Sequence, residues 1–157
     1  MEKDQRDLIL AFNANGVQYL VIGGHAVGAH SEPRGTKDLD VFIKASAENS
    51  EAVFKALAEF GAPLAGVTPA DFNDKASTVF QLGVEPDRVD LLQGIAGVGF
   101  DEAWEARVEM EFDDEIPAHV ISSGHLIQNK LASGRYQDLA DVEKLRAFER
   151  AKSPKPC

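Results

Sequence analysis

The sequence predicts a protein of the α/β (α+β) class, in which strands alternate with helices and a pair of helices closes the chain. In the first half, short continuous apolar runs alternate with segments whose apolar residues recur at helical spacing. In the second half, short apolar runs separated by turn residues are typical of neighbouring strands, and residues 122–151 then return to helical spacing. A chain of 157 residues can bury one core. We therefore predict a single domain over residues 1–152 and a flexible tail over residues 153–157.

The first half of the chain predicts five elements whose ends carry recognisable start and stop signals. Asn15-Gly16 ends the first helix, Ser46 can cap the third, and Gly61 ends it. The pair Gly23-Gly24 ends the first strand in a tight turn where the backbone can approach another group closely. In chain order the elements are a helix over residues 4–14, a strand over 19–22, a short helix over 25–30, a strand over 38–43 and a helix over 46–60.

The second half of the chain predicts short strands and then two longer helices. Thr68 and Pro69 are a strong signal for the start of a short helix. Ser122 can cap the next-to-last helix, which breaks at Gly134, and the last helix is predicted to turn Leu139 towards the core. The strands are predicted over residues 78–82, 88–92, 108–112 and 116–121, and the helices over residues 100–106, 122–133 and 136–151.

The charge of the chain is strongly negative but unevenly distributed. The net charge of −10 argues against a broad affinity for nucleic acid. Residues 101–115 carry eight acids and one base, a net charge of −7, whereas residues 129–157 carry seven bases and four acids, a net charge of +3. We therefore expect phosphate-bearing partners to bind at particular faces rather than over the whole surface.

The sequence predicts a cytoplasmic protein that does not enter a membrane. The one cysteine, Cys157, cannot form a disulfide within the chain, which favours a reducing compartment. The first seven residues are rich in charge and do not resemble a signal peptide. No apolar run approaches the roughly 20 residues that a membrane helix needs.

Three aspartates are the strongest candidates for a metal site. Asp38 and Asp40 are two residues apart on a predicted strand, so their side chains share a face, about 6.6 Å apart along the chain. Two like charges on one face repel each other unless a cation lies between them, and hard carboxylate oxygens suit Mg²⁺ or Mn²⁺. Asp90 interrupts an apolar run and would join them if the two strands pair. The plainer alternatives are solvated acids at a strand end and an ion pair between Asp90 and Arg88 or another base.

The remaining candidates are groups that could bind the phosphates of a nucleotide. The turn at Gly23-Gly24 and the helix start after it offer backbone N–H groups to phosphate oxygens. Arg34 and Lys37 could contact phosphate, since the nearby acidic pair would otherwise be uncompensated. Lys130 and Arg135 lie on the basic C-terminal helices and are candidate triphosphate contacts. The alternative for these two is a solvated helix face, with Lys130 paired to a nearby acid.

Three sequence motifs resemble the nucleotidyltransferase superfamily, which has the DNA polymerase beta type of fold. The first is Gly-Gly followed after thirteen residues by Asp-Leu-Asp, at Asp38 to Asp40, and then by the single Asp90 in Arg-Val-Asp-Leu-Leu. The second, Arg34 to Asp40, resembles the R-x-T-x-D-x-D string of a toxin-like, abortive-infection-related bacterial branch. The third, within residues 125–142, is similar to the K-x4-R-x2-D-x2-D helix pair of that branch. Gly24 stands where many superfamily members have serine.

The resemblance implies a mixed β-sheet flanked by helices and a metal-dependent reaction. Mg²⁺ or Mn²⁺ on Asp38, Asp40 and Asp90 would assist transfer of a nucleoside monophosphate from a nucleoside triphosphate to an acceptor hydroxyl. Thr36 belongs to the string and is a candidate nucleotide contact, and Lys130 is a candidate catalytic residue. The acceptor stays open between a protein, a tRNA or other RNA end, and a small molecule, and a cognate antitoxin or toxin is an expected partner. The alternative is a non-catalytic nucleotide- or partner-binding module, regulatory or antitoxin-like.

Overall fold

The computed structural model describes residues 1–33, 35–74, 79–84, 87–113 and 115–152. Arg34 and the predicted tail over residues 153–157 lie outside the described residues. The helices are α1 Lys3–Ala14, α2 Gly23–His30, α3 Ala47–Phe60, α4 Phe100–Glu105, α5 Ser123–Ser133 and α6 Tyr136–Lys152, with a 3₁₀ helix over Pro69–Phe72. The strands are β1 Tyr19–Ile22, β2 Leu39–Ile43, β3 Phe80–Leu82, β4 Val89–Leu92, β5 Val108–Phe112 and β6 Ile116–Val120.

The six strands form one mixed sheet, in the order β3-β4-β2-β1-β6-β5. The central strands β1 and β2 run antiparallel, and each has a parallel neighbour, β6 beside β1 and β4 beside β2. The edge strands β3 and β5 pair antiparallel with β4 and β6. The predicted mixed sheet with flanking helices and a C-terminal helix pair is therefore confirmed.

The helices begin and end where the sequence places their capping residues. The Ser46 hydroxyl accepts a hydrogen bond from the N–H of Asn49 at 3.2 Å, and the Ser122 hydroxyl accepts one from the N–H of His125 at 3.1 Å. Each hydroxyl satisfies a backbone donor that the first helical turn leaves free. Gly134 has a left-handed φ of 69°, which ends α5 before α6 begins.

The core lies on both faces of the central strands. All four residues of β1 are buried, which is typical of a strand covered on both faces. The helix α2 contacts β1 and β2 as well as α5 and α6, so it lies between the sheet and the C-terminal helix pair. The helices α1 and α3 pack against each other and bury Leu8, Phe12 and Leu57 in the same core.

Two sequence expectations about helices are corrected by the structure. The helix α2 begins at Gly23 rather than at His25, so the glycine pair forms its first turn. Leu139 was expected in the core, yet it is 43% exposed. The buried face of α6 consists of Asp138, Asp141, Val142 and Leu145, whose spacing of three and four residues leaves Leu139 outside.

No helix in the described ranges is long and apolar enough to span a membrane.

Candidate active site

The parallel pairing of β2 with β4 brings the candidate aspartates together. Asp40 is in register with Asp90 on β4, and on its other side it is in register with Ile22 on β1. Asp38 immediately precedes β2, and its side chain is 25% exposed, whereas that of Asp90 is 13% exposed. The sequence analysis made the role of Asp90 conditional on this strand pairing, and the pairing is confirmed.

The first residue of α2 lies directly against the carboxylate of Asp40. Gly23 has a left-handed φ of 65°, and a β-carbon built on it would collide with Oδ2 of Asp40 and lie 3.2 Å from Cγ. Two separate constraints therefore require glycine at this position. The close approach places the N-terminus of α2, with its free N–H groups and positive dipole end, beside the aspartates.

Arg88 bridges two of the three carboxylates. Its Nη2 lies 2.8 Å from Oδ2 of Asp38, and its Nε lies 3.3 Å from Oδ1 of Asp90. A second, longer hydrogen bond joins Nη2 to Oδ2 of Asp90 at 3.4 Å. The alternative of an ion pair between Asp90 and Arg88 is therefore observed, and Arg88 also supplies part of the positive charge near Asp38 that was expected from Arg34 and Lys37. The predicted phosphate contacts of Arg34 and Lys37 stay predictions.

The pKa values of the aspartates show how crowded the cluster is. The pKa of Asp40 is raised to about 6, mainly by burial and also by the charges of Asp90 and Asp38, against the opposing effects of Arg88 and Lys130. Burial also raises the pKa of Asp90, although the charge of Arg88 opposes the shift. The cluster therefore has more negative charge than its immediate neighbours neutralise.

The carboxylates fit a hard divalent cation in their chemistry, whereas Arg88 lies between two of them. Within the described ranges, no group of three or more histidine, cysteine, aspartate or glutamate side chains is already arranged around a single metal position. Oδ1 of Asp38 and Oδ1 of Asp90 nevertheless accept no hydrogen bond from any described residue, although Nε of Arg88 lies 3.3 Å from the latter. Buried carboxylate oxygens that accept no hydrogen bond can serve as ligands of Mg²⁺ or Mn²⁺. The donor set fits such an ion if the guanidinium of Arg88 moves aside.

Lys130 is buried, which excludes the solvated helix face considered from the sequence. The residue is 7% exposed, and its Nζ lies 3.0 Å from Oδ2 of Asp141 and 3.4 Å from Oδ1 of Asp138. The alternative of pairing with a nearby acid is therefore observed. The charge of Lys130 also lowers the pKa of Asp40, so the ion-paired lysine acts on the aspartate cluster.

Arg135 lies just beyond the break at Gly134 and is held by the same acid. Its Nε lies 2.9 Å from Oδ2 of Asp138, while its side chain is 80% exposed. The hydrogen bond that Arg135 donates to Asp138 is the largest cause of its raised pKa, and the charge of Asp40 contributes. Lys130 and Arg135 therefore both interact electrostatically with Asp40 from the C-terminal helix pair. Their predicted contact with triphosphate stays a prediction.

The segment that leads into β2 contributes smaller contacts. Lys37 is exposed, and its carbonyl accepts a hydrogen bond from Nε2 of Gln5 at 2.5 Å. Thr36 and Gly35 line a cavity of about 680 Å³ between α2 and β5, together with Ala29 and Phe112. Gly24 is half-buried in the first turn of α2.

Gln5, which is not among the predicted site residues, fixes the two strands where they enter the site. Gln5 is fully buried, and besides the Lys37 carbonyl it binds the Arg88 carbonyl at 3.1 Å. These carbonyls precede β2 and β4, so one amide spans the entry to both strands. The sequence contains a signal for this role of Gln5. The residue occupies the same helical face as Leu8, Ile9 and Phe12, where an apolar residue is expected.

The chain resembles a solved nucleotide-transferring enzyme structure over nearly its whole length. That structure is described as the crystal structure of lincosamide antibiotic adenylyltransferase LnuA, lincomycin-bound; the TM-score is 0.59 at 16% sequence identity, and the match covers 94% of this chain and 98% of that one. This chain has a nucleotidyltransferase fold. At this identity the likeness concerns the fold alone, so the toxin-like branch remains a prediction. No family model matches the sequence, and no curated protein matches it.

Proposed function

We propose that this chain is a Mg²⁺- or Mn²⁺-dependent nucleotidyltransferase that moves a nucleoside monophosphate from a nucleoside triphosphate to an acceptor hydroxyl. The observation that carries the proposal is the alignment of Asp40 with Asp90 on adjacent parallel strands, with Gly23 of α2 against the Asp40 carboxylate. Asp38 adds a third carboxylate at the same edge. The arrangement joins candidate metal ligands to a helix N-terminus that suits phosphate.

The chain's own residues supply positions and charges for the transfer. Asp38, Asp40 and Asp90 would hold the divalent cation, which when bound neutralises triphosphate charge and makes the acceptor hydroxyl easier to deprotonate. The N-terminus of α2 at Gly23-Gly24 would bind triphosphate oxygens. Asp90 would accept the hydroxyl proton as the acceptor oxygen forms a bond to the α-phosphorus. The bond from that phosphorus to the bridging oxygen breaks, and pyrophosphate leaves.

The C-terminal helix pair would balance the charge that develops on the leaving pyrophosphate. The charges of Lys130 and Arg135 both act on Asp40, so we expect them to act also on a triphosphate bound beside it. A fixed cation stabilises a transition state more than the ground state when charge moves towards it. We assign Lys130 this role because it is held rigidly by Asp138 and Asp141.

A small molecule is the acceptor class that we propose first. The similar structure is that of an antibiotic adenylyltransferase with lincomycin bound, and the cavity beside Thr36 has the volume of a drug-sized site. The toxin-like string from Arg34 to Asp40 favours a second acceptor class, a protein or a tRNA end, with a cognate antitoxin as partner. The presence of all three carboxylates favours an enzyme over a non-catalytic binding module of the same fold.

Transfer of label from nucleotide to acceptor tests the proposal. The protein is incubated with each α-³²P-labelled nucleoside triphosphate, Mn²⁺, and one of three acceptor sets: lincosamides and aminoglycosides, total tRNA, or lysate protein. We expect label in the small-molecule fraction, no label with Asp40→Asn, and normal labelling with Asp101→Asn, an exposed acid that pairs with Lys44. Nucleotide binding without any labelled product would leave the binding module as the function. Neither binding nor labelling would contradict the proposed activity.

A further inference from the structure

Arg88 occupies the space between two carboxylates that would hold the metal. We propose that Arg88 is a built-in counterion that competes with the divalent cation for Asp38 and Asp90, and so sets the metal concentration at which the site fills. The proposal rests on the proposed metal site and goes beyond it, because it assigns a role to a side chain that is neither a metal ligand nor a phosphate contact.

The planar guanidinium of Arg88 contacts both acids. Nη2 reaches Oδ2 of Asp38 at 2.8 Å and Oδ2 of Asp90 at 3.4 Å, while Nε reaches Oδ1 of Asp90 at 3.3 Å. A guanidinium holds its donors in a rigid plane, so Arg88 can contact Asp90 with two nitrogens while one of them also contacts Asp38, whereas a lysine ammonium would contact both acids with one atom. A cation bridging the same two acids needs the same space, and it would also be repelled by the guanidinium charge. The two cannot occupy the site together.

The backbone at Arg88 is held by hydrogen bonds, so any movement of this residue is confined to its side chain. The Arg88 carbonyl accepts hydrogen bonds from the N–H of Leu39 at 3.0 Å and from Nε2 of Gln5 at 3.1 Å. The side chain is 32% exposed and therefore has a route to solvent. A cation can displace the guanidinium without breaking the pairing of β2 with β4.

The charge balance decides the direction of the effect. Arg88 contacts Asp38 and Asp90 directly, whereas Lys130 contacts Asp138 and Asp141 and acts on the cluster only from a distance. Removing Arg88 therefore leaves the three aspartates with less positive charge nearby. Their attraction for a divalent cation rises, and their mutual repulsion without one also rises.

Metal binding and stability can be measured without any turnover. After treatment with EDTA and buffer exchange, free Mn²⁺ is titrated by electron paramagnetic resonance against the wild type, Arg88→Ala, Arg88→Lys, and Arg146→Ala. Arg146 is an exposed arginine on α6 and serves as the control. We expect Arg88→Ala to bind Mn²⁺ about five- to thirtyfold more tightly, on the scale of one or two lost ion pairs. Its Tm should be lower in EDTA and should rise more on adding Mn²⁺.

Arg88→Lys keeps the charge but loses the planar guanidinium, so its Mn²⁺ affinity should lie between those of the wild type and Arg88→Ala. It also provides the test if Arg88→Ala does not fold. Equal or weaker Mn²⁺ binding in the Arg88 variants, with binding in the wild type, would overturn the competition and leave the metal site standing. Absence of Mn²⁺ binding in every variant would overturn both this proposal and the metal site.

Discussion

The carboxylate of Asp40 lies against the α-carbon of Gly23, so closely that a β-carbon there would overlap Oδ2. The contact follows from strand register, because Ile22 pairs with Asp40 and Gly23 is the next residue. The same register aligns Asp40 with Asp90 on its other side. One strand position thereby connects the start of α2 to the aspartate cluster.

Gly23→Ala tests this contact. The substitution adds a side chain at a left-handed φ of 65° and pushes it into Asp40. We expect a loss of about 2–4 kcal/mol in the free energy of unfolding, from backbone strain together with overpacking, and a loss of nucleotide transfer. The measurements are urea unfolding and the rate of transfer.

Gly16→Ala is a matched control for the part of this stability loss that comes from backbone strain. Gly16 has nearly the same φ, 63°, but no heavy atom lies within 4 Å of an added β-carbon. The Gly16→Ala variant should lose only about 1–2 kcal/mol in the free energy of unfolding, the cost of a left-handed φ for a non-glycine residue. Its rate of nucleotide transfer should stay normal. If the two variants behave alike, the close approach to Asp40 has no functional consequence.

The raised pKa of Asp40 predicts a pH-dependent gain in stability for Asp40→Asn. Burial raises the pKa of Asp40 to about 6 in the folded protein, so the folded state binds its proton more tightly than the unfolded state does. The wild type therefore loses stability as the pH rises from about 4 to about 6, the interval between the two pKa values. Asp40→Asn, which carries no charge, does not share this loss.

In EDTA, we expect Asp40→Asn to be more stable than the wild type by about 1–3 kcal/mol at pH 7.5 and by less than about 1 kcal/mol at pH 4.5. Urea unfolding at a series of pH values measures the difference. Asp101→Asn should show no comparable gain, because the Asp101 side chain is 80% exposed. A difference that stays constant with pH would contradict the shifted pKa.

The elements of this fold are predictable from local sequence, whereas their pairing is not. Apolar periodicity and the caps at Ser46 and Ser122 placed strands and helices within a few residues, because these signals act over short distances along the chain. The alignment of Asp40 with Asp90 joins residues far apart in sequence. Sequence reasoning could state it only as a condition.

Sequence reasoning left the environment of two charged residues open, because that environment depends on tertiary contacts. Lys130 is buried because Asp138 and Asp141 on the next helix pair with it. Arg88 is placed between two acids only when β4 lies beside β2. Charged side chains are expected at the surface unless they are paired, so the environment of each one depends on a partner that lies elsewhere in the sequence.

Gln5→Ala should weaken the link between the starts of β2 and β4, where both strands enter the site. The substitution leaves the carbonyls of Lys37 and Arg88 without the amide that now binds both. We expect a loss of about 1–3 kcal/mol in the free energy of unfolding, the usual cost of leaving buried polar groups unpaired. Gln5→Glu should be worse, since a carboxylate would face two carbonyl oxygens. Thermal unfolding ranks the two variants, and a more stable Gln5→Glu would show that the amide donor is unimportant.

Lys130→Met should affect both stability and transfer, for separable reasons. Lys130 pairs with two buried aspartates, and removing one partner of a buried ion pair leaves an uncompensated charge that costs about 3–5 kcal/mol. If Lys130 also stabilises the leaving pyrophosphate, its loss lowers kcat by roughly ten- to a thousandfold, the scale of one charge-stabilising contact. The single variant cannot separate these two effects.

The triple variant Lys130→Met, Asp138→Asn, Asp141→Asn separates them. Neutralising both acids removes the buried negative charge, so stability should return towards that of the wild type. Transfer should stay low, because the cation whose charge acts on Asp40 is still missing. Asp138→Asn with Asp141→Asn is the control, since it retains the lysine. If transfer recovers together with stability in the triple variant, Lys130 has only a structural role, and the C-terminal helix pair covers the sheet without taking part in the reaction.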